Sequence, residues 1–135
     1  MIKVPSGDVP PLVGEWRELA SRFATVSCRL DKALHDGHGL CMSDFEILDR
    51  LAEDGKDSAR MHDLGEAVHL SQSALSRAVS RLDREGLVSR SMCDNDRRGV
   101  FVCLTDLGRE RWRDARATHR AVLEESFATF QAPAG

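Results

Sequence analysis

Apolar residues recur at Trp16, Leu19, Phe23, Val26, Leu30 and Leu34, in alternating steps of three and four. That spacing keeps one side of an α-helix apolar and predicts a long amphipathic helix over residues 12–36, close to a heptad seam. Such a helix would run roughly 37 Å, which is long for a chain of 135 residues and suggests an arm that packs on a second chain. Before it, residues 1–11 hold three prolines and a glycine and read as a flexible N-terminal arm.

Gly37 and Gly39 are the stop signals of this helix. Ser43, with Glu46 three residues on, reads as a capping box that opens a second helix over 43–54, with Phe45, Leu48, Leu51 and Ala52 as its buried stripe and Gly55 closing it. A short third helix follows over 62–69, with Leu64, Ala67 and Val68 inward. Leu70 and Ser71 form a tight turn, and Ser71 caps a fourth helix over 72–85 that stops at Gly86. The period then changes to that of strands: LVSRSMC (87–93) and GVFVCL (99–104) flank the polar DNDRR and predict a β-hairpin with a charged tip. Thr105 and Asp106 open a last helix to about residue 130, with Trp112, Ala115, His119, Val122, Ser126 and Phe130 along its inward stripe. The fold class is therefore mainly α with a small β-hairpin, the region 40–104 forming a compact unit between long helices at 12–36 and 105–130.

Charge changes the picture by its distribution. The net charge is −3, so the chain does not announce a polyanionic partner. Yet residues 67–104 carry six Lys/Arg against four Asp/Glu and form the only net-positive stretch. An acidic protein can still bind DNA through a locally positive face, because phosphate contacts are local. The four cysteines at 28, 41, 93 and 103 show no paired-ligand spacing and read as reduced cytoplasmic thiols. The start of the chain lacks a long apolar run, so no signal peptide is expected, and no segment reaches the length of a membrane span.

The fourth helix carries the chemistry. Leu75, Ala78, Val79 and Leu82 occupy one face. Ser73, Ser76, Arg77, Ser80, Arg81 and Arg84 occupy the other, with no acidic residue before Asp83. Small side chains let a helix sit deep in a major groove, hydroxyls and Gln72 hydrogen-bond base edges or phosphates, and arginine takes guanine in a bidentate contact. Taken alone, the same face is equally a solvated surface. Its place after a short helix and a tight turn, and before a hairpin, makes it the second helix of a helix-turn-helix with a wing. At the hairpin tip Arg97 and Arg98, beside Asp94 and Asp96, suit the narrow, negative minor groove; a self-satisfied surface turn is the alternative there.

With SQSALSRAVSRLDREGLVSR and DNDRRGVFVCLTDLGR in view, residues 40–108 resemble the winged-helix core of the MarR family of transcriptional regulators. The spacing D-x-D-R-R-x-x-x-x-x-L-T-x-x-G is the most specific part, and the likeness extends over about residues 12–128. The resemblance implies a homodimer whose first and last long helices intertwine, with the two recognition helices in successive major grooves of a pseudo-palindromic operator. It implies DNA contacts at Ser71, Gln72, Ser73, Ser76, Arg77, Ser80 and Arg81, and a wing contact through Arg97 or Arg98. His69 stands at a turn position where the family usually has glycine, and Gly65 where alanine is usual. The sequence ends near residue 135, where relatives carry one more helix, which predicts a thinner dimer interface.

Family members are often released from DNA by a small aromatic or phenolic ligand between the first, second and fifth helices. Trp16, Phe23, Met42 and Phe45 are the residues that would line such a site here, with ordinary core packing as the alternative. Some relatives sense oxidants through a cysteine, for which Cys41 is the best candidate. His35, His38 and Cys41 are loosely spaced like metal ligands but match no zinc signature, so neither metal nor cofactor is expected. No catalytic motif is present, so an enzyme is not expected. The sequence reading is a double-stranded-DNA-binding cytoplasmic repressor. Its rivals are a redox-sensing regulator of the same fold and a winged-helix protein-interaction module that does not bind DNA.

Overall fold

A computed structural model describes residues 10–53, 55–92 and 99–131. Helix α1 spans Pro10–His38. It starts two residues inside the expected arm, because Pro10 and Pro11 suit a first helical turn whose N–H groups have no intrahelical partner. It runs through Gly37 and ends at Gly39, which takes φ +66°. The Gly39 and Leu40 amides then donate back to the His35 and Leu34 carbonyls at 3.0 and 3.3 Å, as at a left-handed helix end.

Helix α2 spans Met42–Glu53, and its N-terminus differs from the expected capping box. Ser43 lies inside the first turn. The Met42 amide donates instead to Asp31 Oδ1 of α1 at 2.6 Å, and Glu46 faces His119 Nε2 at 3.4 Å. A long-range carboxylate has replaced the local hydroxyl cap. Phe45, Ile47, Leu48 and Leu51 are fully buried, so α2 runs through the middle of the core rather than along its edge.

The remaining elements are β1 (Ser58–Arg60), α3 (Met61–Val68), α4 (Gln72–Arg84), β2 (Val88–Met92), β3 (Val100–Leu104) and α5 (Asp106–Gln131). The expected hairpin is present as β2 and β3, antiparallel, with Val88 opposite Leu104 and Arg90 opposite Val102. A third strand joins it: the sheet order is β1-β3-β2, with Ser58 opposite Cys103. The sequence reading missed β1 because Ser58-Ala59-Arg60 is too short and polar to show alternation; pairing along β3 makes it a strand.

Two polar joints fix α5 to the core. Asp49, buried on α2, accepts from Trp112 Nε1 at 2.8 Å and from Arg120 at 3.1 and 3.2 Å. Beside it His119 stacks on Phe45, with ring centroids 4.5 Å apart. Arg120 donates to His119 Nδ1 at 2.8 Å, which leaves Nε2 to carry the ring proton towards Glu46.

The second joint explains the L-T-x-x-G spacing. Thr105 Oγ1 accepts from the Gly108 amide at 3.0 Å and donates to the Gly86 carbonyl at 2.6 Å. The first turn of α5 thereby lies against the Leu87 backbone. A Cβ on Gly108 would run into the Leu87 carbonyl oxygen, with Leu104 Cδ1 at 2.9 Å. Gly108→Ala should therefore destabilise the fold by about 1–3 kcal/mol through overpacking, although alanine has the better helix propensity by about 1 kcal/mol. Urea denaturation checks this, and an unchanged or raised midpoint would refute the close approach.

Candidate nucleic-acid interface

Helices α3 and α4 meet through a turn that His69 makes possible. His69 sits in the left-handed region at φ 58°, ψ 40°, and the Leu70 amide donates to the Gly65 carbonyl at 3.1 Å. Gly65 is buried for a packing reason: a Cβ there would stand 2.9 Å from Gln72 Nε2 and 3.2 Å from Leu75 Cδ2. Its bare backbone lets α4 approach α3 closely. Ser71 caps α4 as expected, accepting from the Ala74 amide at 3.2 Å, which satisfies one of the free amides of the first turn.

The two faces of α4 divide as the sequence pattern requires. Leu75, Ala78, Val79 and Leu82 are buried. Ser71, Gln72, Ser73, Ser76, Arg77, Arg81 and Arg84 are exposed and Ser80 is half-buried. The Ser71 and Ser73 hydroxyls lie 3.3 Å apart. Arg77 and Arg84 have no ion-pair or hydrogen-bond partner among the described residues. Arg81 does have one: it reaches Asp44 of α2 at 2.7 Å. The hydrogen bond to Asp44, then the attraction of the carboxylate, raise its pKa above the ordinary guanidinium value.

Beside this face lies an open notch of about 570 Å³ between α4 and β2, where Ser76, Arg77, Arg81, Arg84 and Arg90 converge. Arg90 was not anticipated. It shares a strand face with Val88, the face that packs on α4, and so its guanidinium lies along that helix. It donates to Asp83 Oδ2 at 3.2 Å and to Ser80 Oγ at 3.5 Å. The alternation of LVSRS already places Arg90 on the Val88 side, and that was the readable signal. Arg97, Arg98 and Cys93 lie outside the described residues.

A second concavity, about 740 Å³ and mainly apolar, opens between α1, α2, the α3–α4 turn and α5. Phe23 and Met42 both line it, with Leu30, Leu123 and Phe127. The other two residues expected there do not. Phe45 points the opposite way, into the core, with none of its surface exposed. Trp16 lies about two turns before Phe23 on α1, lines a separate shallow depression with Glu15 and Arg22, and is 66% exposed. Of the cysteines, Cys28 is exposed and Cys103 is half-buried on β3. Cys41, also half-buried, lies 3.5 Å from Ser43 Oγ and 4.0 Å from Arg81. Among the described residues no cluster of His, Cys, Asp and Glu is arranged to hold a metal ion, and no helix is long and apolar enough to cross a membrane.

The MarR family model matches residues 40–100. AbsC, a MarR family transcriptional regulator from Streptomyces coelicolor, is 34% identical, with 96% of this chain and 86% of that chain covered and a TM-score of 0.82. Sco3205, a MarR family transcriptional regulator from the same organism solved in complex with DNA, is 28% identical, with coverage of 98% and 82% and a TM-score of 0.86. The HTH-type regulator YdgJ of Bacillus subtilis is 31% identical over 94 residues, 70% of this chain. The chain spans only 56% of the length of YdgJ.

The strained turn gives a direct test of the local geometry. A non-glycine residue in the left-handed region costs about 1–2 kcal/mol, whereas glycine loses only about 0.5–1 kcal/mol of extra chain entropy on folding. His69→Gly should thus raise stability by roughly 0.5–1 kcal/mol. A loss of stability in thermal denaturation would mean that the turn is not held at positive φ.

Proposed function

The chain belongs to the MarR family of transcriptional regulators, and we propose from that premise that it is a cytoplasmic homodimer that binds a pseudo-palindromic DNA operator and represses transcription by occluding it. One observation carries this reading. The serine-arginine face of α4 points into solvent, with two cations, Arg77 and Arg84, that have no ion-pair partner among the described residues, and a notch beside it rich in guanidinium groups. Serines keep the helix slim enough for a major groove, and the arginines supply phosphate attraction and guanine recognition. The DNA complex of the similar Sco3205 supports the same class of ligand. In this reading Ser71, Gln72, Ser73, Ser76 and Arg77 approach the major groove, Arg84 meets the backbone, and the wing arginines Arg97 and Arg98 reach for the minor groove.

The dimer reading rests on exposed apolar surface. Leu12, Trp16, Leu19 and Phe23 on α1 are 60–68% exposed, and Phe127 on α5 is 51% exposed. A contiguous apolar stripe of this kind marks an interaction surface, and its heptad-like spacing suits a second copy of the same helix. The groove lined by Phe23 and Met42 has the size and apolar lining of a small-ligand site. An aromatic or phenolic effector held there would release the operator by favouring a different spacing of the two recognition helices.

Duplexes selected from a random pool should contain two half-sites about 10 base pairs apart, centre to centre. Arg77→Ala should lower affinity for the selected duplex roughly 10-fold to 100-fold and relax its base preference. Unchanged selective binding would place the recognition surface elsewhere. Leu19→Glu with Phe23→Glu should convert the dimer to monomer in sedimentation experiments, and a wild-type protein that sediments as a monomer at micromolar concentration would overturn the dimer.

A further inference from the structure

The recognition face carries one arginine whose direction is set from outside its own helix. Asp44, on α2, is only 6% exposed. Its Oδ1 accepts from Arg81 Nη2 at 2.7 Å and its Oδ2 from Arg81 Nε at 3.4 Å. This side-on grip uses one edge of the guanidinium and leaves the Nη1 donors without a partner among the described residues. Asp44 is itself held in the scaffold, because the first turn of α2 is tied to α1 through Asp31 and the Met42 amide at 2.6 Å. Arg77 and Arg84, on the same face, have no such anchor.

Resting on the reading of α4 as the DNA-reading helix, we propose that Asp44 is a specificity-determining positioning residue: it fixes the Arg81 guanidinium for a directional contact and withholds its charge from generic phosphate attraction. The physical case is one of charge and geometry. A carboxylate at hydrogen-bond distance offsets the field of the guanidinium beyond the pair, so Arg81 adds little to the counterion-release attraction that any duplex exerts. The same carboxylate holds the side chain in one orientation, so the remaining donors reach a base edge or one phosphate without first being ordered. The three exposed arginines of the face thus divide in role: Arg77 and Arg84 are unanchored cations among the described residues, and Arg81 is a fixed donor. This anchored arginine is invisible in the helix sequence, because its partner lies 37 positions upstream.

Asp44→Asn keeps the size of the side chain and one acceptor while removing the charge. Its affinity is to be measured for the duplex that the wild type selects and for a random-sequence duplex of equal length, between about 50 and 200 mM KCl. The expected result is stronger random-duplex binding with a salt slope steeper by about 0.9, equivalent to one added phosphate contact, and a selected-to-random affinity ratio lowered about ten-fold. In the double variant Asp44→Asn/Arg81→Met the added slope should vanish, which a merely structural effect of the change at Asp44 could not produce. Arg81→Lys, which keeps the charge but cannot be gripped side-on, should lower the ratio in the same way and serves if Asp44→Asn does not fold. An unchanged ratio and slope in Asp44→Asn, or a slope that persists without Arg81, overturns the role of Asp44 while leaving the regulator reading intact. A wild-type protein with no salt-dependent duplex binding overturns both.

Discussion

Two carboxylates on a buried helix organise this protein. Helix α2 runs through the core with Phe45, Ile47, Leu48 and Leu51 sealed from water, yet it also carries Asp44 and Asp49, both almost wholly buried. A buried charge without a partner is among the most costly features a fold can contain. Each aspartate therefore dictates where a neighbouring element must lie. Asp49 calls in Trp112 and Arg120 and so docks α5. Asp44 calls in Arg81 and so docks α4. Hydrophobic burial supplies most of the stabilisation, but it is non-directional. The aspartates, with their hydrogen-bond geometry, set the rotation and register of both helices relative to α2.

What was legible in the sequence follows from the same distinction. Helix α4 could be read directly, since Leu75, Ala78, Val79 and Leu82 repeat at helical spacing and Ser71 offers a local cap; these signals lie within one element. The hairpin was readable for the same reason. The main failures involve partners distant in the chain. The first turn of α2 looked like a capping box because Ser43 and Glu46 have the right local spacing, but Asp31 supplies an ionised acceptor and leaves Glu46 free to face His119. Strand β1 exists through β3, not through its own pattern. Phe45 and Phe23 are both aromatic positions near one cleft in sequence terms, but the direction of each Cβ sends one into the core and the other into the groove.

The charge distribution is the link from fold to function. A chain of net charge −3 presents a cationic face because α4 carries no carboxylate before Asp83; Asp44 pairs with Arg81 and Asp83 with Arg90 at that face, and Asp49 with Arg120 and Asp57 with Arg109 away from it. The first two pairs each include a residue of α4 and temper its charge rather than abolish it. A face composed wholly of free arginines would bind every duplex with similar strength, since phosphate attraction carries no sequence information. Pairing some of them shifts the balance from attraction to direction, which is what a protein that must find one site among many requires.

The same scaffold connects the groove to the serine-arginine face of α4. Met42 and Ser43 line the groove; the next residue is Asp44. Its neighbour on the other side, Phe45, stacks on His119 of α5, and Met42 itself is hydrogen-bonded to α1. Four consecutive residues of α2 thus touch α1, the groove, α4 and α5. A ligand that displaced this turn by even a fraction of an ångström would alter the Asp44–Arg81 grip and the docking of α5 together, because a close-packed core transmits a shift rather than absorbing it. In the proposed reading an effector here would not need to reach α4, since α2, the helix it would touch, already holds Arg81 through Asp44.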